Sequence, residues 1–115
     1  MTKDKIMKTE IYYNKNNNTK LEIWNANGDW DFDTTQELCK NYNLSEISEA
    51  DFEELMQKND FYGFVIEDEN EETVLEEWSI PSKYLRSILE NFLLNSFDCY
   101  ADKNGKKLSE ALKDK

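Results

Sequence analysis

The residues in this sequence that are most able to take part in chemistry or binding are the carboxylates between Glu22 and Glu77. This acidic block holds eighteen acidic side chains against two basic ones, Lys40 and Lys58, in a chain of net charge −11. Carboxylates can exchange protons, bind a cation, or present an anionic surface to a basic partner. The members are Glu22, Asp29, Asp31, Asp33, Glu37, Glu46, Glu49, Asp51, Glu53, Glu54, Asp60, Glu67, Asp68, Glu69, Glu71, Glu72, Glu76 and Glu77.

The residue types on which most enzymes depend are scarce. The chain has no histidine, which excludes Ser-His-Asp and Cys-His arrangements and every histidine-containing zinc site. Its three glycines form no phosphate-binding loop. Two carboxylates at the spacing of a glycosidase site are not evidence of glycosidase activity, because some pair among twenty-five acids always falls near the required separation. We therefore predict no enzyme activity, no catalytic residue and no cofactor.

Residues 29–33, Asp-Trp-Asp-Phe-Asp, have the clustered carboxylates that calcium prefers. A calcium-binding EF-hand loop needs Gly at its sixth position and Glu at its twelfth. Counted from Asp29, those positions hold Thr34 and Lys40, so the motif fails. We predict no metal site here.

The same five residues alternate strictly between acidic and aromatic side chains. If the segment is extended, the alternation puts three carboxylates on one face, about 6.5–7 Å apart along the strand. That separation is close to the distance between neighbouring phosphates on an extended nucleic-acid strand. The segment is therefore a candidate for imitating a nucleic-acid backbone.

Apolar periodicity and capping residues predict the elements that position these carboxylates. Strands are indicated by alternation and by short apolar runs next to Asn-rich or acidic turns. Helices are indicated by polar caps followed by apolar residues at 3.6-residue spacing. The predicted strands are Thr9–Asn14, Thr19–Asn25, Phe61–Glu67 and Thr73–Ile80, and the predicted helices are Thr34–Tyr42, Glu49–Asn59 and Pro81–Ser96.

The order β-β-α-α-β-β-α predicts a single α+β domain over residues 1–115. Hairpins without crossovers imply an antiparallel sheet built from two hairpins, with the helices on one face. Residues Lys107–Ala111 follow an Asn-Gly turn and fit either a short C-terminal strand or a short helix. We expect residues 1–8 and 112–115 to be frayed ends.

Three parts of the acidic block are predicted to present carboxylates to a partner. They are the alternating segment, the start of the second helix and the tip of the second hairpin. The predicted partner-binding residues are Asp29, Trp30, Asp31, Asp33, Glu49, Asp51, Glu53, Glu54, Glu67, Asp68, Glu69, Glu71 and Glu72.

These features predict a small inhibitor that occupies a basic, nucleic-acid-binding surface of another protein. Direct nucleic-acid binding is disfavoured, because phosphate contacts dominate that affinity and an acidic domain repels phosphate. Small acidic proteins of this kind include anti-CRISPR and anti-restriction proteins of phages and other mobile elements, which the chain resembles in size and charge alone.

Two alternatives remain open. One is an immunity protein that neutralises a nuclease toxin. The other is a structural or adaptor domain, such as a homo-oligomer, whose acids are only solvated surface. Nothing in the sequence indicates a secretory leader or a membrane span, so the expected location is the cytoplasm, with both cysteines reduced.

Overall fold

Two hairpins supply most of the sheet, at the positions predicted from apolar alternation and short apolar runs. The computed structural model describes residues 7–26 and 30–114. Both turns use non-glycine residues with positive φ, Asn18 at 58° and Glu71 at 63°. The strands are β1 (Met7–Asn14), β2 (Thr19–Ala26), β3 (Phe61–Glu67), β4 (Thr73–Pro81) and β5 (Tyr100–Ala101).

The strands form an antiparallel sheet in the order β4-β3-β2-β1-β5. Ile23 lies opposite Phe64 and points with it into the core, whereas the next pair, Trp24 and Gly63, lies on the other face. We call that second face the open face. The architecture confirms the predicted α+β domain with its antiparallel sheet of two hairpins, and β5 adds a short strand at the edge beside β1.

The first two helices begin where a capping side chain accepts a hydrogen bond from a backbone N–H group of the first turn. In the second helix the Ser48 hydroxyl accepts a hydrogen bond from the Asp51 N–H at 3.2 Å, so this helix starts at Glu49 as predicted. The helices are α1 (Phe32–Asn41), α2 (Glu49–Lys58), α3 (Ser82–Leu93) and α4 (Leu108–Ala111), with 3-10 turns at Leu94–Cys99 and Leu112–Asp114.

The main core lies between the sheet and α3. Leu85, Ile88 and Leu89 of α3 are completely buried against the sheet residues Ile23 and Phe64. Burying a side chain of this size contributes about 1.5–3 kcal/mol, so the apolar stripe of α3 is a main source of stability. The 3.6-residue spacing of that stripe is what made the helix predictable.

A second core cluster joins the two acidic helices to the end of the sheet. Phe52 of α2 and Cys39 of α1 are buried with Phe61, the first residue of β3. Phe52 and Phe61 rings lie 5.0 Å apart between centroids. This cluster fixes α1 and α2 against the sheet, which matters because both helices carry carboxylates of the acidic block.

The expectation of an extended strand through residues 29–33 is wrong for its described part. Helix α1 begins at Phe32, and Asp31 is its N-cap. The side chain of Asp31 accepts a hydrogen bond from the Thr34 N–H at 3.3 Å, which favours helix initiation over continued extension. The helix start predicted at Thr34 is therefore two residues late. Asp29 lies outside the described residues.

The third helix is shorter than the predicted Pro81–Ser96. It ends at Leu93, because Leu94 has a φ of 46° that an α-helix cannot accommodate, and the chain continues in a 3-10 turn. At the C-terminus the helix option for Lys107–Ala111 is realised as α4. Of the ends expected to fray, residues 1–6 and 115 lie outside the described residues, and Leu112 is buried.

Candidate partner-binding surface

The start of α1 holds two predicted site residues, Asp31 and Asp33, in different roles. Asp31 bonds both the backbone N–H and the hydroxyl of Thr34, so its carboxylate is part of the helix cap. Asp33 lies in the first turn. Both side chains are exposed, and their negative charge is favoured by the positive end of the helix dipole. The carboxylates are held on a helix start rather than along a strand.

The start of α2 carries four predicted site residues, all of which are exposed. Glu49 and Glu53 are one helical turn apart and therefore lie on the same side of the helix. Asp51 also lies in the first turn. Glu54 forms an ion pair with Lys58 at 3.0 Å, but both side chains are more than half exposed, so the pair contributes little to stability.

An aromatic contact joins the two acidic helix starts. The rings of Phe32, in α1, and Phe52, in α2, meet edge to face with their centroids 5.3 Å apart. Beside them lies a shallow depression of about 460 Å³ lined by Phe32, Glu49, Phe52, Glu53, Met56 and Gln57. Two of the three predicted clusters thus form one continuous region, which we call the helix-start surface (Asp31, Phe32, Asp33, Glu49, Phe52, Glu53 and Met56).

Trp30 lies next to this region but packs inward. Its ring lies 5.5 Å from that of Phe61 and is associated with the second core cluster. The side chain is partly buried, so at least part of its surface serves the fold rather than a partner.

The third predicted cluster, at the tip between β3 and β4, lies at the far end of β3 from Phe61. The strand is seven residues long, so its two ends lie about 20 Å apart. Asp68 organises the turn, because its Oδ1 accepts hydrogen bonds from the backbone N–H groups of Asn70 (2.8 Å) and Glu72 (3.1 Å). The exposed carboxylates at the tip are those of Glu69, Glu71 and Glu72.

Glu67, like Glu54, has a basic side chain as its ion-pair partner. Lys20 lies between Glu67 and Glu22, with N–O distances of 3.1 and 3.4 Å. Hydrogen bonding to Glu67 raises the pKa of Lys20. The Glu67 carboxylate is therefore engaged within the sheet.

The sequence prediction did not include the tryptophan pair on the open face. Trp24 and Trp78 lie with ring centroids 6.5 Å apart, and neither belongs to a core cluster. The sequence could have predicted the face on which Trp24 lies, because Trp24 alternates with the core residue Ile23. Trp78 was harder to place, because β4 has a register irregularity next to it and Ser79 has a φ of 62°.

Most described carboxylates of the acidic block form no ion pair with a described lysine or arginine. Among the described residues, only Glu22, Glu54 and Glu67 of the block come within 4.0 Å of a lysine or arginine nitrogen. Glu77 is exceptional in another way, since burial raises the pKa of its carboxyl. The uncompensated charge gives these surfaces a negative potential that attracts basic partners.

The described residues include no group of three or more Cys, Asp or Glu side chains placed to hold a metal ion. They also include no helix that is both long enough and apolar enough to cross a bilayer. No protein-family model matches the chain, and no curated protein or solved structure matches it.

Proposed function

We propose that this chain is a small inhibitor that binds the basic, nucleic-acid-binding surface of a target protein. The observation that carries the proposal is the Phe32–Phe52 contact, which joins two acidic helix starts into one surface. Inhibition by imitation of nucleic acid requires carboxylates at fixed positions. Helix starts that are capped by Asp31 and Ser48 and anchored by a buried cluster supply such positions.

The carboxylates and the apolar side chains of the helix-start surface contribute to binding in different ways. Exposed carboxylates such as Glu49 and Glu53, which form no ion pair with a described lysine or arginine, accelerate encounter with a basic protein and make association sensitive to salt. The partly exposed apolar side chains between them, such as Met56 at 36% exposure, add burial that Coulombic attraction alone does not supply. Nucleic acid is displaced because it needs the same basic groups.

The proposal covers inhibitors of the anti-CRISPR or anti-restriction kind, encoded by a phage or other mobile element. A nuclease toxin is also a basic nucleic-acid-binding target, and in that case the chain acts as an immunity protein. Both versions use the same surface and differ in the protein bound. Cys39 and Cys99 are free thiols, which fits a cytoplasmic site of action.

An adaptor or homo-oligomer is a second candidate, favoured by the open face with its tryptophan pair and the 42%-exposed Tyr13. This candidate predicts a self-association that salt does not weaken. Size-exclusion chromatography with light scattering, at low and at high salt, distinguishes the inhibitor from the homo-oligomer. A monomer at both salt concentrations favours the inhibitor.

Affinity capture tests the inhibitor proposal. The immobilised protein is exposed to a bacterial lysate at low salt, and bound protein is eluted either with a salt gradient or with nucleic acid. We expect release of a basic protein by both. The variant Glu49→Gln/Glu53→Gln should capture less, whereas Asp98→Asn/Glu110→Gln, which removes two exposed charges elsewhere, should capture normally. Equal capture by both variants would refute the helix-start surface as the binding site.

A further inference from the structure

The open face combines aromatic surface with carboxylates in a regular arrangement. Trp24 lies opposite Gly63, and the ring of Trp78 covers Gly63 from the neighbouring strand. In the next row of the sheet, Val65 lies between Glu22 of β2 and Glu76 of β4. Two indole rings therefore lie beside two carboxylates, and none of these four side chains belongs to either core cluster.

Hydrogen bonds hold each ring against its carboxylate. The indole N–H of Trp24 donates to Glu22 Oε1 at 3.2 Å, and that of Trp78 donates to Glu76 Oε1 at 2.8 Å. Each bond places a negative charge at the edge of a ring and leaves the second carboxylate oxygen for another donor. An aromatic face next to a carboxylate is an arrangement that attracts a cationic side chain.

The two carboxylates differ in their present partners. Glu22 shares Lys20 with Glu67, so the face already binds one cation from its own chain. Glu76 is exposed, and no lysine or arginine nitrogen of the described residues lies within 4.0 Å of it. The open face can thus accept a further cation at Glu76, beside the ring of Trp78.

We propose that the open face binds an arginine side chain of the basic partner, with the guanidinium over Trp78 and hydrogen-bonded to Glu76. Arginine fits better than lysine because its planar group stacks on an indole and bonds a carboxylate through two N–H groups at once. A basic partner fits this face better than a second copy of the chain, because Glu22, Glu67 and Glu76 would meet their own counterparts across a two-fold interface. The inference rests on the proposed function in that it assumes a basic partner.

The test uses a nona-arginine peptide as probe and the indole N–H signals of the three tryptophans in ¹H-¹⁵N NMR spectra. Trp30 packs against Phe61 and serves as the internal reference. We expect saturable shifts of the Trp24 and Trp78 signals that are larger than the shift at Trp30, which lies beside the helix-start surface. Nona-lysine should bind about threefold more weakly, because it lacks the stacking plane.

Charge-matched variants separate this site from general attraction to acidic surface. Glu76→Gln keeps an acceptor for the Trp78 indole but loses the charge, and should weaken nona-arginine binding about threefold. Glu53→Gln, on the helix-start surface, should leave the shifts at Trp24 and Trp78 unchanged. The Trp30 signal of each variant reports whether the fold is retained.

Unshifted Trp24 and Trp78 signals, or equal weakening by both variants, would overturn the arginine site. The proposed inhibitor function would survive that result if Glu49→Gln/Glu53→Gln still reduced capture of the basic partner. Conversely, saturable shifts together with normal capture by that double variant would support the open face while refuting the helix-start surface.

Discussion

The indole ring of Trp78 lies directly over the backbone of Gly63. A Cβ atom built on Gly63 would be 2.0 Å from Cε3 of that ring, a distance that real Cβ atoms do not reach. Glycine at position 63 thus permits the tryptophan to cross β3 and approach Trp24 on β2. The relationship explains a glycine within an otherwise apolar strand, and it sets the geometry of the open face.

Gly63→Ala should therefore destabilise the fold. The added methyl group must displace the indole ring or the strand, which we expect to cost about 1–3 kcal/mol of unfolding free energy. Urea denaturation followed by far-UV circular dichroism measures the loss. The same substitution made together with Trp78→Leu should cost clearly less. An equal cost in both backgrounds would show that the ring is not the obstacle.

The two functions of Asp31, helix capping and surface charge, can be separated by substitution. Asp31→Ala removes the acceptor for the Thr34 N–H and should lower stability by about 1 kcal/mol. Asp31→Asn keeps a capping oxygen, so its stability should stay within about 0.5 kcal/mol of wild type while one surface charge is lost. Thermal unfolding of the two variants checks this. Equal stability of the alanine and wild-type proteins would contradict the cap.

Thr35 connects α1 to β4 through a completely buried hydrogen bond. Its hydroxyl donates to the carbonyl oxygen of Ser79 at 2.7 Å, at the position where β4 adopts a φ of 62°. Thr35→Val keeps the shape but leaves that carbonyl without this donor, at an expected cost of about 1–3 kcal/mol. Thr73→Val, at an exposed site, should change stability by less than about 0.5 kcal/mol. Chemical denaturation of both variants provides the comparison.

Glu77 should make stability depend on pH in the direction opposite to that of most carboxylates. Burial raises its pKa above the ordinary 4.5, so the folded state favours the protonated form. The ionised form destabilises the fold above the raised pKa, and this penalty disappears as the pH falls through that pKa towards 4.5.

Glu77→Gln should consequently raise the melting temperature at neutral pH and lose this advantage near the ordinary carboxyl pKa of 4.5. Glu76→Gln removes the same charge from the exposed position next to it and controls for the general relief of negative repulsion. Melting curves across this pH range check the prediction. A gain for Glu77→Gln no larger than the control's, or one that persists at low pH, would contradict it.

Local patterns predicted much of the fold because they reflect single elements. The stripe of α3 and the Ser48 cap each lie within one stretch of chain. The prediction of an extended strand through residues 29–33 failed because alternating acidic and aromatic residues fit a strand as well as a helix start. The hydrogen bond from the Thr34 N–H to Asp31 favours the helix. The merging of two acidic clusters depends on the Phe32–Phe52 contact, a tertiary relationship that no local pattern contains.

The central claim is that the helix-start surface competes with nucleic acid for a basic protein. The most direct measurement is the binding of the captured partner to its labelled nucleic acid as this protein is added. We predict full displacement that weakens with salt, about three- to tenfold weaker with Glu49→Gln/Glu53→Gln and unchanged with Asp98→Asn/Glu110→Gln. A ternary complex in which the partner keeps its nucleic acid, or equal displacement by all variants, would contradict the claim.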